Sequence, residues 1–429
     1  MNIMNINDFS LLLKQYINSS QYNVVTISKL TDIPRSTIQK YMSGIQLPVS
    51  YEIVEKIIKL FSLSTKQKDE LKKAYMIERI GYLKYQKLIK LKEIMESLNC
   101  HYSTITNHNL TYNFNKINNF ARNLEELKLM IHFVLEDALA NDKQIKILMN
   151  SDNSLFDIIY LAAKNNPDLM IEQIVNFKNL NNDITSTNLD QFNKLLPLAL
   201  LKNNVTIKYI YGKEGGTNYY SIFPYIIISS NYIVLINSDY TLGMLVNENQ
   251  QYLINEYYKK SKSAKNMISK TKNDDDNFTA IFDDFYTNRL KIKYQIFAHV
   301  PLLDKWLINI FNNQNHEKVL SFFTKRNISL YFKADKQTRT IIDPDKILNF
   351  IDNQNHEVYL FKLDNLHFPK DLIILNNQTA LTFILKDKII TIHENTLCQD
   401  FLLLDSLFKI AEYCYSQDET ISMIKQKYI

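Results

Sequence analysis

Two histidine–carboxylate pairs recur in near-identical surroundings, His316-Glu317 in INIFNNQNHEKV (308–319) and His356-Glu357 in LNFIDNQNHEVY (348–359). An imidazole beside a carboxylate suits zinc or iron. However, no second histidine stands one helical turn away and no cysteine is near, so the repeat reads as two polar loops that follow helices. The three cysteines, Cys100, Cys398 and Cys414, share no ligand-like spacing, and an odd count argues against a disulfide framework. YGKEGGTNYY (211–220) has glycines but lacks the Gly-Lys-Ser/Thr of a phosphate loop, and reads as a strand connector. No carboxylate pair, Ser-His or Cys-His constellation stands in a recognisable motif. No catalytic residue, metal or cofactor is nominated.

The polar set with informative spacing lies in DIPRSTIQKYMSGIQLP (32–48). A helix opening at Pro34-Arg35 turns Ile38 and Tyr41 inward and leaves Arg35, Ser36, Gln39 and Lys40 outward. Those four donate to phosphates and purine edges. Short helices must position them. DFSLLLKQYINS (8–19) gathers Phe9, Leu12, Leu13 and Tyr16 on one face. TISKLTDI (26–33) starts a second helix with Thr26 as cap, burying Ile27 and Leu30. The turn at Thr31-Asp32-Ile33 calls for positive φ, which Asp32 tolerates less well than glycine, and Ser28 is small enough for two helices to cross closely. Gly44 ends the third helix, and Pro48 leads into SYEIVEKIIKLFSL (50–63), with Ile53, Ile57 and Leu60 in register. Charge agrees: the first hundred residues hold 15 Lys/Arg against 9 Asp/Glu, the remainder 35 against 36. A positive field confined to one end suits a polyanion.

This stretch resembles the Cro and phage-repressor helix-turn-helix, the XRE type. The likeness is carried by ISKLTDIPRSTIQKYMSG, by the spacing of Gly44 and Pro48, and by the apolar helix that follows. It covers roughly residues 8–65. The resemblance implies double-stranded DNA as partner, with the third helix in the major groove. It further implies that Arg35, Ser36 and Lys40 read bases while Thr37 and Gln39 position the backbone. Asp32 departs from the usual turn glycine, and Pro34 from the usual capping Ser or Thr.

Residues 64–98 read as one helix capped by Ser64 or Thr65. Its stripe of Leu71, Tyr75, Ile80, Leu83, Leu88, Leu91 and Met95 offers a face to a second subunit, and its basic face reads as solvated. After the Asn-rich boundary of 99–119 and a helix around 123–141, strands and helices alternate. QIKILMNS, LMIEQIVNF and VTIKYIYG are strands; SLFDIIYLAAKNN and NLDQFNKLLPLALLKN are helices. That alternation implies a mostly parallel sheet covered on both faces. FPYIIISSNYIVLINSDYTLGMLV (223–246) adds two or three strands, and NENQQYLINEYYKKSKSA another helix. A polar break at KTKNDDDN (270–277) follows. The stretch from Phe368 to Cys414 replays the order Phe-Pro, strand, hairpin, strand, helix. Two such halves are faintly similar to phospholipase D-like folds. That family's signature is His-x-Lys followed by Asp, once per half. Here His316-Glu317-Lys318 is followed by Phe323 at the aspartate's position, and Tyr225 and Lys370 replace the hairpin histidines. Without one histidine to attack and one to protonate, that chemistry does not run.

The expected class is α + α/β: a helix-turn-helix domain (1–75), a helical linker (76–122) and a large α/β region in two similar halves (123–270 and 271–429). A chain of 429 residues, 46% hydrophobic and 22% charged, is globular. The best apolar run, Phe223 to Ile236, is broken by Ser229, Ser230 and Asn231, too short to span a membrane. MNIMNINDFS is not a signal peptide, so a cytoplasmic location is expected. The expected function is sequence-specific transcriptional regulation by a homodimer whose α/β region senses a small-molecule or peptide effector, dimerises, or both. The competing readings are a DNA-anchored nuclease or hydrolase and a ligand-free oligomeric repressor.

Overall fold

Caps and glycines set the helix boundaries of the N-terminal segment. The computed structural model describes residues 8–98, 118–151, 154–179, 186–201, 204–211, 222–247, 251–274, 276–277, 280, 294–298, 319–323, 356–360, 373–376, 380–385, 388–404, 415 and 417–428. Two units divide the chain. One comprises Met1–Ile89, Val358–Leu366 and Leu403–Ile429, the other Lys90–Glu357 and His367–Leu402.

The first unit begins with α1 (Asp8–Ser19), α2 (Val24–Thr31), α3 (Arg35–Met42), α4 (Tyr51–Ile58) and α5 (Thr65–Ile80), and α6 (Tyr82–Ser97) follows. Helix α2 starts two residues before the expected Thr26. Asn23 is the cap, its Oδ1 accepting from the Thr26 amide at 2.9 Å and the Thr26 hydroxyl at 3.1 Å. A short amide side chain at that position satisfies an orphan donor of the first turn. Leu30, expected inside, is exposed. On α4 the buried face is Tyr51, Val54, Ile57 and Ile58, with Ile53 and Leu60 only half-buried. Phe9, Leu13, Tyr16, Ile27, Ile38, Tyr41, Val54, Ile57 and Leu71 are buried. Tyr75 lies among rings, 5.5 Å from both Phe9 and Tyr51, and its hydroxyl donates to the Pro48 carbonyl at 3.1 Å.

The single helix expected over 64–98 is two. Ser64 caps α5 in a reciprocal box with Gln67, but Gly81, at φ +87°, ends it. Only glycine adopts that conformation without strain. The break leaves Leu83 exposed, whereas Leu71, Tyr75, Leu88, Leu91 and Met95 are buried within the chain. The stripe is therefore not a free face for a second subunit, because the chain's own side chains already cover most of it.

In the second unit the alternation read from sequence is present. The chain runs β1 (Phe120–Ala121), α7 (Leu124–Ala140), β2 (Gln144–Leu148), α8 (Leu155–Asn165), β3 (Met170–Phe177), α9 (Thr187–Leu200) and β4 (Val205–Tyr211). A meander of β5 (Tyr225–Ile228), β6 (Tyr232–Ile236) and β7 (Gly243–Asn247) follows, then α10 (Gln251–Ser263) and β8 (Lys265–Asn266). These strands form an eight-stranded sheet in the order β1-β7-β6-β5-β2-β3-β4-β8. Its β2, β3 and β4 are parallel but its other five pairs are antiparallel, so the sheet expected to be mostly parallel is mostly antiparallel, because the β5–β7 meander and the edge strands β1 and β8 join it by pairing antiparallel.

The second sheet is built from β9 (Ile268–Lys272), β10 (Tyr294–Ala298), β11 (Val319–Phe323), β12 (His356–Leu360), β13 (Ile373–Asn376), β14 (Leu381–Ile384) and β15 (Lys388–Ile392). The helix α11 (Asn395–Phe401) comes next and α12 (Gln417–Tyr428) later. Its strand order, read from β9, is β9-β15-β14-β13-β10-β11-β12. That is the order of the first sheet strand for strand, with β9 in the place of β1 and β10 in that of β2. The match extends to register. Ile228 opposite Ile233 and Asn376 opposite Leu381 close hairpins of equal length, and the residues facing them on the central strands are Lys146 and Gln295. The second sheet repeats the first.

The polar run expected as a break is a strand in its first part. Residues 265–272 pair with β4 through β8 and with β15 through β9. Between them the Met267 amide donates to Ile207 at 2.9 Å, and the Met267 carbonyl accepts from His393 at 2.8 Å. Lysines are compatible with a strand at a sheet edge, where one side of the ladder is open. His356-Glu357, expected in a loop, opens β12. Residues 316–318, Lys370, Cys100, Cys414 and most of the glycine stretch at 211–220 lie outside the described residues. No helix is long and apolar enough to cross a membrane among the described residues.

Candidate nucleic-acid interface

Asp32 decides how α3 leaves α2. It adopts φ 56° and ψ 25°, the left-handed conformation expected of the turn position. Short polar residues tolerate it best after glycine. Ser28, expected to permit close crossing, also ties the turn, its hydroxyl donating to the Ile33 carbonyl at 2.6 Å. Pro34 caps α3 without a side-chain bond, and its carbonyl accepts from the amides of Thr37 and Ile38 at 2.9 and 3.1 Å. At the far end Gly44 takes φ +71°, and the amides of Ile45 and Gln46 both return to the Lys40 carbonyl.

The inward face of α3 is Ile38 and Tyr41, both buried, and burial raises the Tyr41 hydroxyl pKa. Arg35, Ser36, Gln39 and Lys40 are exposed on the opposite side, and Thr37 is half-buried. Among the described residues no side chain of the exposed four is committed to a hydrogen bond or ion pair. Five donor-bearing residues over six positions present guanidinium, hydroxyl, amide and ammonium groups. Such an array contacts phosphate oxygens and base edges.

Sequence reasoning missed a second polar concentration, at the junction of the two sheets. Glu394 is fully buried and caps α11, accepting from the amides of Thr396 and Leu397, the Thr396 hydroxyl and the Tyr211 hydroxyl. Asn188 of α9 donates to Thr396 at 2.8 Å. Phe192, Phe383 and Phe401 form a three-ring contact alongside, with centroids 5.6 to 6.4 Å apart. Burial, with Glu394 beside it, drives the Tyr211 pKa far up, and burial does the same to the Cys398 thiol. Both side chains stay protonated and inert at neutral pH. Burial lowers the His393 pKa. These groups come from positions about 200 residues apart, and no local spacing announces them.

Under α10, Glu172 accepts from Lys208 and Ser261, each at 2.7 Å. Burial would raise its pKa, but those bonds and the charges of Lys208 and Lys146 outweigh it and hold the carboxyl below its ordinary range. The cluster fastens α10 to the sheet. Tyr225 stacks on Tyr240 with centroids 4.9 Å apart and an interplanar angle of 2°. No group of three or more His, Cys, Asp and Glu suited to a metal occurs among the described residues.

No family model and no curated protein matches this chain. Solved structures do. A phosphatidylserine synthase from Haemophilus influenzae Rd KW20 is 12% identical, with 72% of this chain and 89% of that one covered at a TM-score of 0.26. TrmBL2, an archaeal chromatin protein with a novel mode of DNA binding, is 10% identical over 60% of this chain and 93% of its own, at a TM-score of 0.22. A polyphosphate kinase from Porphyromonas gingivalis is 8% identical over 64% of this chain and 47% of its own, at a TM-score of 0.23.

Proposed function

We propose that this chain is a cytoplasmic, sequence-specific DNA-binding transcriptional regulator, with an XRE-type helix-turn-helix at its N-terminus. The observation that carries the reading is the outer face of α3. Four uncommitted polar side chains lie there, on a helix whose inner face is buried and whose entry is set by a left-handed Asp32. Arg35, Ser36 and Lys40 read bases; Thr37 and Gln39 hold the backbone. The duplicated α/β region is a phospholipase D-like scaffold without catalysis, in keeping with Tyr225 and Lys370 at the histidine positions. It receives a small-molecule or peptide effector. One recognition helix covers only a few base pairs, so the working form is a homodimer on a palindromic site. The surface that joins its subunits is not the buried stripe of 71–95.

The test is to sequence the DNA fragments that full-length protein retains from a random pool, then measure binding to the recovered site. Arg35→Ala should weaken specific binding by about 1–3 kcal/mol and relax preference at one base pair. Lys40→Ala should have a comparable effect. Light scattering of the complex reports its stoichiometry. Wild-type affinity and specificity in both variants would refute the assignment of α3.

A further inference from the structure

Three lysines crowd the strand pair β9–β15. Lys270 and Lys272 stand two residues apart, hence on one face of β9. Lys272 lies directly opposite Lys388, and Lys270 directly opposite Ile390. Directly opposed residues share a face, so all three stems rise from one patch. Exposure falls across it, from Lys272 at the surface through half-buried Lys388 to Lys270, whose Nζ is buried. Lys388 donates to the carbonyl of Leu200 at the end of α9. The Lys270 ammonium has no hydrogen-bond partner, and no carboxylate pairs with any of the three among the described residues.

Like charges set opposite one another on two strands repel, and a buried charge without a counter-ion is strongly disfavoured. The fold itself does not demand this arrangement. Carrying the shared register to the edge strands of the first sheet puts Phe120 at the place of Lys270, and Arg122 and Leu242, one residue beyond the Ala121–Gly243 pair, at the places of Lys272 and Lys388. Of the three cationic positions of the second copy, only that of Lys272 is cationic in the first, as Arg122; those of Lys270 and Lys388 are apolar there, as Phe120 and Leu242.

We propose that Lys270, Lys272 and Lys388 bind a small phosphate-bearing anion. A phosphate group brings close to two negative charges and three strong acceptor oxygens, and lysine serves as a point-charge phosphate ligand. The decreasing exposure supplies a mouth at Lys272 and a base at Lys270. A duplex presents its phosphates on a convex surface that meets Lys272 and not the buried Lys270 ammonium, so a small ligand fits the patch better. Burial, aided by Lys388, brings the Lys270 pKa down to about 8, which leaves it mostly charged at neutral pH. The site is independent of DNA reading by α3.

Isothermal titration of full-length protein with inorganic phosphate, at constant ionic strength in chloride buffer, should show one saturable site. A parallel titration with glycerol 3-phosphate distinguishes a phosphate ester from the free ion: tighter binding of the ester assigns the former, equal or weaker binding the latter. Lys270→Met retains the stem and removes the charge, while Lys272→Gln alters an exposed position that folding does not depend on. Each should weaken binding at least tenfold. Heats that do not saturate, or an unchanged Kd in both variants, would mark an adventitious ion only and overturn the proposal. A DNA duplex that loses affinity in both variants, with phosphate binding unaffected, would also overturn it by giving the patch to nucleic acid.

Discussion

Replacing Lys270 by methionine should make the protein more stable at neutral pH. In the folded chain the ammonium is desolvated and faces Lys388, and it releases its proton near pH 8 instead of 10.5. A tenfold change in proton affinity corresponds to about 1.36 kcal/mol, so the charged form costs the folded state about 3 kcal/mol relative to the unfolded chain. Methionine keeps most of the stem and carries no charge. In a unit of this size the variant's Tm should therefore rise on the order of 5 °C. The pH dependence is the sharper check. Below about pH 8 the lysine is protonated in both states and the whole cost is present. Between about 8 and 10.5 the unfolded chain binds more protons than the folded one, so raising the pH stabilises the wild type. The gap between variant and wild type should be widest at pH 7 and close as the pH approaches 10.5. Thermal melts followed by circular dichroism at pH 7, 8, 9 and 10 give the answer directly. A variant no more stable than wild type at pH 7, or a gap independent of pH, would refute the burial argument.

Asp32→Val places a β-branched residue at φ 56° and should lose about 1–2 kcal/mol, whereas Asp32→Gly should hold or slightly gain stability; urea denaturation of both variants compares them. Gly243→Ala drives a Cβ against Leu127, which is fully buried, and should cost about 1–3 kcal/mol. Adding Leu127→Ala opens room, so the glycine substitution should cost less in that background. Additive losses in the double-mutant cycle would show that the contact is not what fixes the glycine.

The geometry of α2 and α3 about the Asp32 turn was legible because its determinants are local. A small polar residue at the turn, an inward pair at Ile38 and Tyr41, and a glycine at the end of α3 each act within one or two turns of helix. Element types through the first sheet were legible for the same reason, since the patterns of β2, β3 and β4 depend on neighbours in sequence. The cap of α2 was misplaced because Asn23 and Thr26 both suit the position and sequence offers no arbiter between them. The break at Gly81 was missed because apolar spacing continues across it, although a lone glycine between two strong helix formers was a usable signal. At β9, composition outweighed pattern: Lys270 and Lys272 alternate with Ser269 and Thr271 as an edge strand would, yet the acidic run that follows made the segment read as loop. The Glu394 junction was not legible at all. Asn188, Tyr211 and Thr396 become neighbours only when the second sheet docks on the first, and nothing in their local sequence encodes that.

The strand shared by the two sheets has a consequence for synthesis. As the chain emerges from the ribosome, β8 finds β4 already made, but β9 must wait more than a hundred residues for β15. Throughout that interval β9 offers an unpaired edge beside a nearly finished sheet, the condition under which nascent chains recruit one another. Lysines at 270 and 272 make that edge self-repelling between neighbouring chains. Exchanging both for threonine or valine would leave the final ladder intact while lowering the yield of monodisperse protein. The charges that burden the finished seam would then have earned their place during the seconds before it closes.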